Sequence, residues 1–342
     1  MDNLSVNEGK RKSLMEKVNQ IPGIGLVMAM GSGISLATGG LTVKLVDSLS
    51  GIEIAVARSL VTCVLVFIFI LFQRESFMPP SGERFPLLMR SVTGCIALIF
   101  SFSAIKLIPL GDSQSIVFSS PVFVSILGCL ILKEPCGIVQ IFSVFMAIGG
   151  IFLISRPSFI FPSNDVTLVS TSSNRTLGLT FALCSCLGAS FTFICMRRLP
   201  KTPASVVVFW YSTFCVVAGT IVSFTNGTFT LPETLHDYGL LLLCGLTGLF
   251  GQGILTLALK IENAGPVSLA RSIEIVMAFI YQVTILGESV SIYSGIGAIV
   301  LGIGVITVGL HKWYLSDPQQ FNSIFCCKKK SNTTVNTFSN QT

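Results

Sequence analysis

The chain of 342 residues is 51% hydrophobic and only 11% charged, with a mean hydropathy of +0.79. A soluble domain carries about 25% charged residues, so this composition excludes a chain that faces water over its whole surface. The net charge is +6, but the basic residues sit in short blocks between apolar runs. That is a topogenic pattern and not a nucleic-acid surface, so no nucleic-acid partner is expected.

Residues 1–20 are polar and lack the apolar stretch of a cleavable signal, so they read as a cytoplasmic tail. A spanning helix needs roughly 20 mostly apolar residues. Such runs follow at Gly23–Val43, Ile52–Phe72, Leu87–Ile105, Asp112–Leu132 and Gly137–Ile154. The polar, Ser/Thr/Asn-rich segment 156–176 comes next. Five further runs occupy Leu177–Met196, Ser205–Phe224, Tyr238–Leu259, Gly265–Leu286 and Ile292–Leu310. The expected fold is therefore an all-α integral membrane protein of ten spans. Its parts are a first five-helix unit over 21–155, a linker over 156–176, a second unit over 177–311 and a tail over 312–342. Glycines punctuate the runs (Gly31, Gly33, Gly39, Gly40, Gly149, Gly150, Gly302, Gly304), and small residues of this kind let membrane helices approach closely. Most of the eleven cysteines fall inside apolar runs and read as free packing thiols. In the tail, Cys326 and Cys327 beside Lys328–Lys330 suit S-palmitoylation, or are incidental to an unstructured tail.

With a cytoplasmic N-terminus, most loop and tail Lys and Arg fall on the cytoplasmic side, and only Lys44, Lys106, Arg156 and Arg175 on the other. This asymmetry puts both termini inside and 156–176 outside. The sequon at Asn174 then faces the side where glycosylation occurs, although Asn3, Asn332 and Asn340 open sequons on the cytoplasmic side.

Sliding the chain by 154 residues lays Ala104-Ile-Lys-Leu107 on Ala258-Leu-Lys-Ile261. It also lays Gly111 on Gly265, Glu134 on Glu288 and Gly150 on Gly304. Five helices per unit is an odd number, so the second unit enters the membrane inverted. Inverted repeats suit a carrier that exposes a midplane site to each side in turn.

The runs Ala104–Gly111, Pro121-Val-Phe123 and Leu127–Glu134, with Ala258–Pro266 and Ile285-Leu-Gly-Glu288, resemble an EamA domain. Over roughly 22–313 the chain resembles the drug/metabolite transporter superfamily, and within it solute carrier family 35, subfamily G. The resemblance implies ten helices in two inverted repeats around a central cavity. It makes movement of an organic anion plausible without naming the anion, and leaves nucleotide sugars as an alternative cargo.

Charge inside the bilayer costs several kcal/mol and marks functional candidates. Arg58 reads either as a fixed positive charge for an anion or as a partner of Glu53 or Asp112. Arg271 and Glu274, three apart on one helix face, read as a substrate or proton site, or as a structural ion pair. Asp112, Ser115 and Ser119 share a face of the fourth span, where Pro121 removes a backbone hydrogen bond and predicts a kink. Glu134 and Glu288 read as structural residues at helix ends. His236 and His311 fall at opposite ends of the spans, so no His-based catalytic or zinc site is assembled, and no phosphate-cradling loop is present. The expected activity is secondary transport of a small organic anion, by exchange or proton coupling, with no enzyme activity and no cofactor. The rival is a non-transporting membrane partner protein that keeps the fold. The partners are the lipid bilayer and the solute, and a homodimer is left open. The membrane is the plasma membrane or an endomembrane (ER/Golgi).

Overall fold

A computed structural model of the chain describes residues 24–73, 76–131, 137–155, 169–196, 198–199, 201–225, 227, 230–232, 234–261, 267 and 270–316. The helices in chain order are α1 (Ile24–Leu45), α2 (Gly51–Gln73), α3 (Arg84–Leu107), α4 (Leu110–Phe118), α5 (Ser120–Ile131) and α6 (Ile138–Ser155). They continue as α7 (Val169–Met196), α8 (Ala204–Thr225), α9 (Leu235–Ile261), α10 (Ile273–Thr284) and α11 (Ile292–Ser316). Among the described residues, seven helices are long and apolar enough to cross a membrane: Ile24–Leu45, Gly51–Gln73, Ser81–Leu107, Asn174–Met196, Ala204–Thr225, Leu235–Leu255 and Ile292–His311. Shorter apolar helices run over Ile141–Ile154 and Ile273–Thr284. The outer surface is apolar, with Phe72, Phe145 and Ile299 all exposed. A surface of that kind suits lipid and not water.

Local chemistry sets several boundaries. Ser50-Gly-Ile-Glu53 is a capping box: the Ser50 amide donates to Glu53 Oε2 at 2.7 Å, and the Glu53 amide donates to Ser50 Oγ at 3.4 Å. The Asp237 amide donates to Thr234 Oγ1 at 3.2 Å at the start of α9. Ile108 is extended (φ −127°, ψ 163°) because it precedes Pro109, and α3 ends there. Past α10, Gly287 takes φ +64°, and the Glu288 amide closes the turn onto the Gln282 carbonyl at 3.0 Å.

The expected span Asp112–Leu132 is not one helix. It breaks at Ser119, whose amide donates to the Ile116 carbonyl at 3.1 Å, a tighter turn than an α-helix makes. Pro121 has no N–H to offer the Val117 carbonyl, which is the physical cause. Between Arg271 and Ile273 a similar turn interrupts the helix at Ser272, whose carbonyl accepts from the Ile275 amide at 3.1 Å. The sixth span starts earlier than expected: α7 begins at Val169, so residues 169–176 are helical and not linker.

Helix packing follows the 154-residue offset. The most extensive pairings are α3 with α7, α1 with α9, α6 with α11 and α2 with α8. Under the offset, α3/α7 and α1/α9 exchange, while α2/α8 and α6/α11 map onto themselves. The α2/α9 and α3/α8 contacts exchange in the same way. Glycine makes the α6/α11 approach possible. A Cβ on Gly150 would lie 2.8 Å from the Gly297 carbonyl oxygen, and one on Gly304 3.2 Å from the Ser143 carbonyl oxygen. Gly33, Gly39 and Gly40 also abut neighbouring helices, whereas Gly31, Gly149 and Gly302 face open space.

Candidate functional site

Arg271 and Glu274 form an ion pair. Arg271 Nε donates to Glu274 Oε2 at 3.0 Å, and Nη2 lies 3.0 Å from the same oxygen. The Glu274 side chain is 8% exposed and that of Arg271 22%. The guanidinium also sits 5.8 Å from the Phe118 ring centroid, just before the break between α4 and α5. From α1, Gly33 leaves space against the Arg271 carbonyl and the Glu274 amide, where a Cβ would approach to 3.0 and 3.3 Å. The pair thus sits where α1, α4 and α10 meet.

Arg58 is elsewhere. Its guanidinium lies 5.2 Å from the Phe102 ring centroid, and Gly248 of α9 leaves the room that its side chain fills. Neither acid considered as its partner pairs with it. Glu53 instead accepts from the Ser50 amide, the Thr230 amide at 2.5 Å and Thr230 Oγ1 at 3.0 Å. Asp112 accepts from Ser294 Oγ at 3.1 Å and lies 3.7 Å from Arg175 Nη2. Arg175 in turn donates to the Ile154 carbonyl at 2.6 Å. Asp112 therefore ties α4, α7 and α11 together near one end of the bundle.

At the same end, Lys44 lies 3.4 Å from Glu288 and donates to the Ile108 carbonyl at 3.1 Å, while Lys106 donates to the Val46 carbonyl. Ser115 and Ser119 are fully buried. Ser115 Oγ donates to the Gly111 carbonyl at 2.7 Å and Ser119 Oγ to the Ile116 carbonyl at 2.6 Å, with Cys186 Sγ at 3.3 Å. Of the sequence-derived candidates, Arg271 and Glu274 come together. Arg58, Asp112 and the two serines occupy separate surroundings. Asn174 is exposed on α7, while Cys326, Cys327 and Glu134 lie outside the described residues.

Two features were missed from the sequence. Arg90, inside the run Leu87–Ile105, was not among the candidates, yet it is buried in α3 at 6% exposure. Its guanidinium stacks 4.5 Å from the Tyr211 ring centroid, and Nε and Nη1 have no hydrogen-bond partner. The second is a pair of polar ties at opposite ends of the bundle. Glu83 accepts from the Lys201 amide at 3.1 Å, the Thr202 amide at 3.0 Å and Thr202 Oγ1 at 2.5 Å. Asp237 accepts from Ser48 Oγ at 2.9 Å. The 154-residue offset relates Glu83 to Asp237 and Thr202 to Ser48, so the sequence did hold the signal.

The profile of the EamA-like transporter family matches residues 23–156 and again 176–310. Solute carrier family 35 member G1 of Homo sapiens is 30% identical over 296 residues, covering 86% of this chain and 81% of that protein. The pseudopaline exporter CntI of Pseudomonas aeruginosa is 31% identical over 231 residues, covering 67% of this chain and 75% of its own. A solved crystal structure, 14% identical, covers 87% of this chain and 100% of that one with a TM-score of 0.57, a likeness of fold alone. The chain is a multi-pass membrane protein that belongs to the EamA-like transporter family, within the drug/metabolite transporters.

Proposed function

We propose that the protein is a secondary-active transporter of a small organic anion, working by alternating access between two inverted five-helix units. One observation carries the anion reading. Arg58, Arg90 and Arg271 lie on helices with their guanidiniums against aromatic rings of neighbouring residues, and among the described residues only Arg271 has a carboxylate, Glu274, within ion-pair distance. An excess of fixed positive charge in a low-dielectric interior selects anions by charge matching.

The exchange of helix pairs under the 154-residue offset supports the inverted architecture, with 21–155 and 177–311 as the units. Ten spans follow if α4 with α5, α6 and the stretch around α10 cross the membrane beside the seven longer helices. On the basic-residue asymmetry, the Glu83 end faces the cytoplasm with both termini, and the Asp237 end faces away. Glu83–Thr202 and Asp237–Ser48 then close the two faces, each between the two units.

Within this scheme Arg58 and Arg271 attract the anion, and Glu274 holds Arg271 while the site is empty. An arriving anion competes with Glu274 for the guanidinium. Protonation of Glu274 has the same effect, which is a route to proton coupling. Asp112, Ser115 and Ser119 serve packing and not substrate contact, because their polar atoms are spent on neighbouring helices or on their own backbone.

The test is uptake into proteoliposomes of a labelled panel of anionic, neutral and cationic metabolites at two pH values. Saturable uptake confined to anions is the expected result. Preference for neutral or cationic solutes, or no uptake of any, refutes the reading.

A further inference from the structure

We propose that Arg58, Tyr211 and Arg90 form one binding site, between α2, α3 and α8, for a small molecule carrying two negative charges. The proposal rests on the transporter reading above and narrows its substrate class from anion to dianion.

A guanidinium carries five N–H donors and is always charged, so burying it without partners is costly. Arg90 is 6% exposed, and its Nε and Nη1 are both buried and without a hydrogen bond. The stack on Tyr211 supports the face of the guanidinium but leaves its donor edge unused. That edge is the part of arginine that matches a carboxylate or phosphate. The hydroxyl of Ser212, the residue after Tyr211, is also buried and unpartnered.

Arg58 supplies the second charge. Phe102, whose ring lies under Arg58, and Tyr211, whose ring lies under Arg90, pack in one buried cluster. Among the described residues no carboxylate stands within ion-pair distance of either arginine. Two positive charges with no internal counter-ion are neutralised by two negative ones.

The sequence makes room for both. A Cβ on Gly94 would come 2.8 Å from Arg90 Nη1 and 3.0 Å from the Tyr211 ring, and Gly248 accommodates Arg58 in the same manner. The 154-residue offset that relates the two units superposes Gly94 on Gly248 and Arg58 on Ser212. The two glycines are thus equivalent positions of α3 and α9, and each makes room for a guanidinium.

The test uses the full chain purified in detergent. Succinate, inorganic phosphate and acetate are titrated at matched ionic strength in chloride, and the thermal unfolding midpoint is followed. Succinate or phosphate should raise the midpoint saturably, and acetate should bind at least 10-fold more weakly. A response to succinate alone identifies a dicarboxylate site, and a response to phosphate alone a phosphate site. Arg58→Gln and Arg90→Gln should each weaken the apparent affinity at least 10-fold, whereas Arg175→Gln, a charge tied to Asp112 at one end of the bundle, should leave it within 3-fold. If a glutamine variant does not fold, Arg58→Lys and Arg90→Lys, which keep the charge but lose the fork, should each bind at least 3-fold more weakly.

A purely structural Arg90 would lower the ligand-free midpoint and leave the affinity unchanged. That outcome, or the absence of saturable stabilisation of the wild-type protein, overturns the site. If the wild-type protein carries anions but fails this titration, the site falls and the transport reading stands. If it binds the dianion but carries no anion, the reverse holds.

Discussion

Replacing Arg271 and Glu274 singly and together separates their packing role from their role in transport. Two arginine nitrogens contact a single carboxylate oxygen at 3.0 Å. At an effective dielectric near 20 that attraction is about 5 kcal/mol, most of it offset by the desolvation of both groups. Removing one partner leaves a charge with no counter-ion, at a cost of about 3–5 kcal/mol where burial is complete. Glu274 is 8% exposed and Arg271 22%, so a stranded Glu274 is costlier than a stranded Arg271, which water can reach. Arg271→Met should therefore destabilise by about 3–5 kcal/mol, and Glu274→Leu by less, about 2–3 kcal/mol. The double variant removes both charges and should fall within about 1 kcal/mol of the wild type, or exceed it. Thermal unfolding in detergent gives the stability order, and proteoliposome uptake gives the activity. The expected result is a stable double variant without transport. A double variant less stable than either single one refutes the electrostatic reasoning. Full uptake by a stable double variant removes the pair from the transport path.

At the membrane level, epitope tags at either terminus should be reached by antibody only after the membrane is permeabilised, and a C-terminus accessible on intact cells would reverse the orientation. Glu83→Gln should loosen its helix pair, α3/α7, more than Asp237→Asn loosens α1/α9, because Glu83 accepts three bonds and Asp237 one from Ser48. Side-specific labelling of buried cysteines by a small maleimide, in oriented vesicles of each variant, reads this; equal labelling in both variants and the wild type would refute it. Gly150→Leu should separate α6 from α11 and destabilise by about 1–3 kcal/mol, whereas Gly149→Leu, with nothing within 4 Å of its Cβ position, should stay within about 0.5 kcal/mol on thermal unfolding.

Hydropathy was enough to place the long helices, because a lipid-facing helix is apolar on nearly every side. α1, α2, α8 and α9 begin and end within a few residues of their expected bounds. The start of α7 was not legible. Its first two turns, Val169–Thr176, are polar, and hydropathy has no signal for helix that lies beyond the apolar run. The spacing of Arg271 and Glu274 fixed their adjacency, since residues three apart share a helix face. The serines of α4 and of the break after it, Ser115 and Ser119, are harder to read from spacing alone. A serine hydroxyl in a helix can satisfy itself on a carbonyl three or four residues back, as Ser115 and Ser119 do, so a polar face need not be a wet one. Arg90 was hidden by its position. Two turns from a helix end, an arginine can snorkel to the interface or turn inward, and hydropathy treats the two alike. Only the Tyr211 ring of α8, remote in sequence, shows that it turns inward.

The equivalence of Glu83–Thr202 and Asp237–Ser48 bears on how the two halves move. Each tie joins a carboxylate at the first turn of one helix to a hydroxyl in the loop after a helix of the other unit. The helices concerned are the extensively packed pairs α3/α7 and α1/α9. Each tie therefore reinforces a helix pair already in contact along its length. The contacts of α2 with α9 and of α8 with α3 attach α2 to the first of these groups, α1/α9, and α8 to the second, α3/α7. In the proposed transport cycle, motion that opens one end would be a swing of the α1/α9 pair against the α3/α7 pair, and not a splitting of either. Arg58, on α2 against Gly248 of α9, belongs to the first group, and Arg90, on α3 against Tyr211 of α8, to the second. A ligand that engages both guanidiniums would hold the two groups together, and its release would free them to swing. Binding and conformational change would be coupled through the same two side chains, as alternating access requires.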